Sequence, residues 1–177
     1  MTLSFQEYYF TDEEFATCKE FSEKVDTTFY QNRSQLNAQK RQQDSYVGKL
    51  GEFAVYNLLK DKNLSLPDTK IYSAKNKSWD YDLKGTDFNC HVKTQNILQA
   101  AKFGESWIFQ KGDKHIFKNY QEIDYVAFVL VDLIGKSARL RTVLPVKELH
   151  DKKLFKEPRL DYLQSKVAIY YEDLKKL

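Results

Sequence analysis

Cysteine, proline, glycine and methionine are all scarce in this chain of 177 residues, which has two, three, six and one of them. The two cysteines, Cys18 and Cys90, do not suggest a disulfide framework, so we expect a reducing intracellular compartment. No apolar run approaches the roughly 20 residues that a membrane-spanning helix needs. The start of the sequence also lacks the basic segment and long apolar run of a secretory signal. We therefore expect a cytoplasmic protein with no membrane partner.

Several signature motifs are missing as well. The chain contains neither GxxxxGK[ST] nor GxGxxG, which removes the usual nucleotide-binding fingerprints. Neither cysteine belongs to a CxxC pair, and His115 and His150 have no partner at the spacing of a zinc site. The sequence therefore predicts no structural zinc site.

The composition that remains is that of one compact globular domain spanning residues 1–177. Hydrophobic residues make up 42% of the chain and aromatic residues 15%, which argues against disorder. The formal net charge is +3 and the isoelectric point is near 8.6, values that permit a polyanionic partner without requiring one.

Two helices are predicted in the first third of the chain. Thr11 and Glu14 have the spacing of a capping box, and the helical periodicity that follows predicts a helix over residues 12–30. A second helix is predicted over residues 46–63, with a buried stripe of Val47, Leu50, Ala54 and Leu58. Glu52 lies in this stretch beside Gly48 and Gly51. Since glycine disfavours a helix by about 1 kcal/mol relative to alanine, something is expected to pack closely there.

The segment between these helices, residues 31–45, is rich in amides and has almost no apolar residues. One interpretation is a solvated linker or helix face. The other is a nucleic-acid contact surface, because Arg33, Lys40 and Arg41 would meet phosphates while Gln42 and its neighbours touch backbone or bases.

Several strands are predicted in the rest of the chain. Residues 124–134 form a near-continuous apolar run, which is typical of a strand covered on both faces. Residues 137–144 are its expected hairpin partner, and residues 96–105 a loop or short helix. The other predictions are strands over residues 70–73, 106–110, 115–117 and 167–171 and a helix over residues 146–153.

The central feature of the sequence is a predicted hairpin over residues 79–95, with a tight turn at residues 84–87. Because strand side chains alternate, Phe88, Cys90 and Val92 should share one face, and Asn89, His91, Lys93 and Gln95 the other. On the first strand the same alternation puts Tyr81 and Leu83 on the apolar side and Asp80 and Asp82 on the polar side. Two carboxylates, an imidazole and an ammonium group are thus expected together.

The stretches GKLGEFAVYNLLK, WDYDL and HVKTQ follow one another in the order of a known catalytic pattern. They resemble the PD-(D/E)XK nuclease superfamily, in which a helical Glu is followed by an Asp and then by a (D/E)xK strand. The resemblance covers residues 48–95. It implies an α/β fold with a restriction-endonuclease-like core, a mixed central β-sheet flanked by α-helices, over residues 46–177, after a helical segment over residues 1–45.

The resemblance also implies site residues. Glu52 would be the helical acid, Asp80 or Asp82 the metal-binding aspartate, Lys93 the catalytic lysine, and Gln95 a polar residue beyond it. His91 stands where the family has Glu or Asp. Three outcomes are open: the two aspartates together replace the missing carboxylate, which we prefer; His91 binds a metal or activates water; or the site is inactive.

The implied activity is hydrolysis of DNA phosphodiester bonds with Mg²⁺, for which Mn²⁺ could substitute. A carboxylate-bound divalent ion neutralises the extra charge of the transition state and lowers the pKa of a bound water. The DNA contacts would come from Arg33, Lys40, Arg41, Gln42, Lys49 and Gln110. A homodimer would supply two sites for cutting both strands. The alternatives are an inactive DNA-binding module with the nuclease fold and a protein-interaction domain.

Overall fold

The computed structural model of the chain describes residues 6–25, 37–72, 80–160 and 165–177. In these ranges a helix or strand is denoted by α or β and numbered in chain order. The order is β1 Gln6–Tyr9, α1 Asp12–Lys24, α2 Ala38–Leu58, a 3₁₀ turn Lys60–Lys62, β2 Leu83–Lys84, β3 Asn89–Asn96, α3 Ile97–Phe103, β4 Ser106–Gln110, α4 Lys114–Phe117, β5 Asp124–Asp132, β6 Ser137–Pro145, α5 Val146–Asp151, β7 Lys166–Tyr170 and α6 Tyr171–Leu174.

A mixed five-stranded sheet forms the centre of the fold, with the strand order β1-β6-β5-β3-β2. Strands β3 and β5 run parallel, and the other neighbouring pairs are antiparallel. Strands β4 and β7 form a separate antiparallel pair. The protein is therefore a mixed α/β fold whose central sheet is flanked by helices, as predicted at this level.

Strand β5 is buried on both faces, which confirms the interpretation of its near-continuous apolar run. Ala127, Val129 and Val131 point into one core, which they share with α2. Val126, Phe128 and Leu130 point into a second core, which contains Trp107 and Phe109 of β4. We call these the helix-side core and the β4-side core. The central sheet therefore separates two apolar layers.

The first helix begins as predicted and is shorter. The Thr11 hydroxyl accepts a hydrogen bond from the Glu14 N–H at 3.1 Å, and the Glu14 carboxylate accepts one from the Thr11 N–H at 3.0 Å. This capping box confirms the predicted start. Helix α1 ends at Lys24, because Val25 is extended (ψ 135°), and the rest of the predicted helix, residues 26–30, lies outside the described ranges.

Helix α2 begins at Ala38 instead of residue 46. The Asn37 side chain caps it by accepting a hydrogen bond from the Lys40 N–H at 2.9 Å, and the following residues include good helix formers such as Ala, Gln, Lys and Arg. The polar segment from residue 38 onward is therefore a helix face, one of the two interpretations offered. Apolar periodicity alone could not detect a helical turn with so few apolar residues.

Two predicted strands are wrong. Residues 115–117 belong to helix α4, because the Asp113 carboxylate accepts the His115 N–H at 3.1 Å and starts a helical turn. Strand β4 pairs with β7 instead. Residues 70–72 have no regular structure, and Ser73 lies outside the described ranges.

Strand β1 was not predicted. It comes from the segment expected to be only helical and pairs with the edge of β6. The predictions of α3, β4, β6, α5 and β7 are confirmed, with ends that differ by up to two residues. None of the described helices is both long and apolar enough to cross a membrane.

The glycine pair in α2 provides a matched test of the packing. A Cβ on Gly51 would lie 2.2 Å from the Thr94 Oγ1 and 3.2 Å from the Thr94 Cβ on strand β3, whereas a Cβ on Gly48 meets nothing within 4 Å. We expect Gly51→Ala to lower the free energy of unfolding by about 1–3 kcal/mol. Gly48→Ala should raise it by about 1 kcal/mol through helix propensity alone. Chemical denaturation of both variants measures the difference.

The Thr94→Ala background is the control for this contact. Because the alanine removes Oγ1, Gly51→Ala should cost less there than in the parent. An equal cost in both backgrounds would contradict the close approach of α2 and β3.

The two cysteines are predicted to be unreactive in the folded protein. Cys18 and Cys90 are fully buried free thiols. Burial raises the pKa of Cys18 to about 12, with the charge of Glu52 acting in the same direction, and burial likewise raises the pKa of Cys90. A thiol-specific chromogenic disulfide at pH 8 should label neither in native buffer and both in guanidinium chloride, since the thiolate is the reactive form. Rapid native labelling of either thiol would contradict this burial.

Candidate functional site

The predicted hairpin is formed by β2 and β3. Leu83 pairs with Cys90 and Lys84 with Asn89 in antiparallel register, and the Gly85 N–H donates to the Phe88 carbonyl at 2.8 Å. A Cβ on Gly85 would lie 2.8 Å from the Lys62 carbonyl oxygen, so the turn needs glycine at this close approach. The turn and the second strand are thus where the sequence predicts them, while Trp79 lies outside the described residues.

Side chains of β3 alternate between the two cores as predicted. Cys90 and Val92 pack in the helix-side core with Leu83 and Phe88. On the other face, His91 lies against the Tyr81 and His115 rings, and the Lys93 ammonium lies 5.0 Å from the centre of the Phe109 ring. The polar face of the hairpin is therefore directed to the β4 side of the sheet.

Tyr81 departs from the predicted pattern. It was expected on the face of Leu83, but its ring centre lies 4.9 Å from those of both His91 and His115. The reason is that β2 begins only at Leu83, so strand alternation does not extend to residues 80–82. The Tyr81 hydroxyl donates to the Asp124 carboxylate at 2.9 Å, and burial followed by this hydrogen bond raises the pKa of the phenol.

Asp82 is held against the main chain of β3. Its N–H donates to the Cys90 carbonyl at 3.1 Å, and its Oδ2 accepts the Val92 N–H at 2.7 Å. The carboxylate thus continues the hydrogen bonding of the hairpin beyond the strand pairing. It contacts the main chain of the residue that separates His91 from Lys93, and its charge acts on the His91 imidazole.

Asp80 forms an ion pair with Lys84, four residues further along the chain. Its carboxylate also accepts a hydrogen bond from the Tyr81 N–H at 2.9 Å. The hydrogen bond from Lys84 is the main cause that lowers the pKa of this partly exposed carboxyl group. Asp80 is consequently ionised at neutral pH. Its charge also interacts with His115.

His91 is buried, with 5% of its surface exposed. Burial lowers the pKa of its imidazole, and Lys93 and His115 act in the same direction, while Asp82 and Asp113 oppose them. His91 is therefore neutral at neutral pH.

Gln95 is occupied by main-chain hydrogen bonds. Its Nε2 donates to the Gly104 carbonyl at 3.0 Å, and its Oε1 accepts the Ser106 N–H at 3.0 Å. The side chain thereby fixes the junction between α3 and β4. This geometry gives Gln95 an architectural contact that its sequence position did not reveal.

Glu52 forms a largely buried ion pair with Lys49 on α2. The Lys49 Nζ lies 2.6 Å from the Glu52 Oε2, donates to the Asp68 carbonyl at 2.7 Å, and lies 4.7 Å from the centre of the Phe21 ring. Helix α2 covers the helix-side face of the sheet, whereas His91 and Lys93 lie on the other face. Glu52 is thus carried by an element on the opposite side of the sheet from these two residues.

The predicted DNA contacts differ in exposure. Lys40 is exposed and pairs with Asp44 at 3.1 Å, while Arg41 and Lys49 are buried. Gln42 and Gln110 are half-buried, and Arg33 lies outside the described residues. Of the five within the described ranges, Lys40 therefore has the most accessible cation.

Three residues near the hairpin were not identified from the sequence as parts of the site. His115 is brought beside His91 by α4, and Asp113 caps that helix. Asp124 is fully buried and accepts hydrogen bonds from Tyr81, from the Asn89 side chain at 3.1 Å and from the Gln121 N–H at 2.8 Å. The contacts of His115 with His91 and of Asp124 with Tyr81 and Asn89 join segments far apart in the chain, so no local spacing signals them.

The described residues contain no group of three or more His, Cys, Asp or Glu side chains that could hold a metal ion. Comparisons with protein-family models, curated proteins and solved structures found no match.

A matched pair of Tyr→Phe substitutions tests the Tyr81 contact. Tyr81→Phe removes one donor from the fully buried Asp124, so the free energy of unfolding should fall by about 1–2 kcal/mol. Tyr9→Phe removes a hydroxyl that binds Glu7 at an exposed site and should change stability by less than about 0.5 kcal/mol. Urea denaturation compares them, and equal effects would contradict a buried role for the Tyr81 hydroxyl.

Proposed function

We propose that this protein is a metal-dependent DNA endonuclease with a restriction-endonuclease-like core. The observation that carries the proposal is the 2.7 Å hydrogen bond from the Val92 N–H to the Asp82 carboxylate. It brings an acid from the segment just before β2 to the main chain of β3, at the position between His91 and Lys93. An aspartate followed by a strand lysine is the combination on which the resemblance to the PD-(D/E)XK nucleases rests.

The donor chemistry of the hairpin fits a hard divalent ion. Mg²⁺ prefers oxygen ligands, usually keeps several waters, and is often bound by one or two carboxylates together with substrate phosphates. Asp82 and Asp80 would supply those carboxylates, so a complete cage of protein ligands is not required. The ion would stabilise charge on the cleaved phosphate and lower the pKa of a bound water.

The remaining side chains would act on the phosphate and on water. Lys93 supplies a positive charge beside the scissile phosphate, and its position over the Phe109 ring restricts where that charge lies. Neutral His91 would accept or donate a hydrogen bond to water. Glu52 is carried by α2 on the other side of the sheet and pairs with Lys49, so it is left out of this set, and Gln95 would act through the α3–β4 junction that it fixes.

A second candidate function is favoured by the ion pairs. Asp80 is paired with Lys84 and Glu52 with Lys49, so two of the three acidic ligands predicted from the sequence have a cation as partner. Paired carboxylates of this kind suit a catalytically inactive nucleic-acid-binding module of the same fold. Cleavage and binding assays on the same substitutions separate the two functions.

Cleavage of supercoiled plasmid with Mg²⁺ or Mn²⁺ tests the proposal. Asp82→Asn retains an acceptor for the Val92 N–H and removes the charge, while Lys93→Ala removes the cation. Each should slow nicking by about a hundredfold or more, because electrostatic stabilisation of the transition state is lost. Formation of linear plasmid directly from supercoiled plasmid would indicate two sites acting together, as in a homodimer.

The control variants change exposed residues of the same charge: Asp87→Asn in the hairpin turn is the control for Asp82→Asn, and Lys118→Ala after α4 is the control for Lys93→Ala. Both control variants should cleave plasmid at the parent rate. Cleavage that survives both site substitutions would contradict the site assignment. Salt-sensitive DNA binding without cleavage under either metal would instead establish the binding module.

A further inference from the structure

Two imidazoles from distant parts of the chain meet at the β4 side of the sheet. His91 comes from strand β3 and His115 from helix α4, and their ring centres are 6.2 Å apart. The Tyr81 ring lies 4.9 Å from each of them. The third histidine, His150, is engaged elsewhere: its Nε2 lies 2.8 Å from the Ile116 carbonyl oxygen, and its ring stacks on Tyr120.

One nitrogen of each imidazole is buried without a hydrogen-bond partner among the described residues. These atoms are the His91 Nε2 and the His115 Nδ1. A buried polar atom without a partner costs about 1–3 kcal/mol, so isolated examples call for a physical reason. Because the two unpartnered nitrogens belong to adjacent rings, we expect one physical reason to account for both.

The charges around the two rings favour a cation over an anion. The carboxylates of Asp82 and Asp113 act on His91, and the carboxylate of Asp80 lies near His115. Lys93 is the opposing positive charge. Lys84 pairs with Asp80, so three carboxylates against two ammonium groups still leave the surroundings net negative.

We propose that His91 and His115 bind a divalent transition-metal ion of the Zn²⁺ type through these two nitrogens. Bonds of about 2.1 Å to two imidazoles at the tetrahedral angle that zinc prefers place the ring centres about 5 Å apart. The observed separation is 6.2 Å, so the two rings would move together by about 1 Å when the ion binds. The two histidines supply two ligands where a structural zinc site has four, so the affinity of this site is moderate.

This site differs from the proposed Mg²⁺ position in its ligands. Imidazole nitrogen suits Zn²⁺, Ni²⁺ and Cu²⁺, whereas Mg²⁺ prefers carboxylate and water oxygens. Binding at the two histidines therefore requires no phosphodiester cleavage. Measurements made without DNA keep a failure of this proposal distinct from a failure of the nuclease proposal.

Nitrogen NMR of the unmodified protein tests the proposal, with His150 as an internal control. Zn²⁺ is added to the ¹⁵N-histidine-labelled protein at neutral pH, and the side-chain nitrogens are followed. We expect the chemical shifts of the His91 Nε2 and the His115 Nδ1 to change over the same range of Zn²⁺ concentration, while the shifts of both His150 nitrogens stay constant. A tenfold excess of Mg²⁺ should leave this pattern unchanged. Equal changes at all three histidines, or none at His91 and His115, would overturn the proposal.

Substitutions provide a second, independent readout. Zn²⁺ affinity, measured by competition with a chromogenic chelator, should weaken at least tenfold in His91→Asn and in His115→Asn and stay within twofold in His150→Asn. Circular dichroism of each variant identifies any that has lost its fold. If His115→Asn is folded and binds Zn²⁺ as the parent does, the two-histidine site is wrong.

Discussion

The burial of β5 on both faces is the constraint on which the rest of the structure depends. A strand with apolar side chains in both directions requires a layer on each side of the sheet. Helix α2 supplies one layer, and the β4–β7 pair with α4 supplies the other. Because β3 is the parallel neighbour of β5, its side chains also enter both layers. The polar residues of β3 therefore lie beside an apolar core instead of in open solvent.

That position explains the character of the candidate site. Lys93 rests on the Phe109 ring, and neutral His91 lies among Tyr81, His115 and the carboxylates of Asp82 and Asp113. Electrostatic interactions are stronger beside a low-dielectric core than in water, so each charge in this cluster influences its neighbours. The same setting suits the proposed phosphate chemistry of Asp82 and Lys93 and the proposed metal pair of His91 and His115, because a charge beside a low-dielectric core is screened less than in water.

The sequence predicted well where a local rule matched the final environment. Thr11 and Glu14 formed the predicted capping box, and Gly51 marked a close approach that the structure assigns to Thr94. The prediction was wrong where the local sequence of a short segment was compatible with a strand and also with another conformation. Residues 115–117 became a helix because Asp113 capped them. Tyr81 turned towards His91 because β2 begins only at Leu83, whereas the alternation was applied from Asp80.

The sequence by itself determined the two-faced strand β5, the β2–β3 hairpin and the alternation that directs His91, Lys93 and Gln95 to one face, because these follow from periodicity and turn chemistry over a few residues. Only the tertiary structure decided which partners those side chains meet. It placed His115 beside His91, engaged Gln95 with residues 104 and 106, and paired Glu52 with Lys49. The physical reason is that the packing of one element against another depends on the whole core, whereas alternation along a strand depends on the backbone alone.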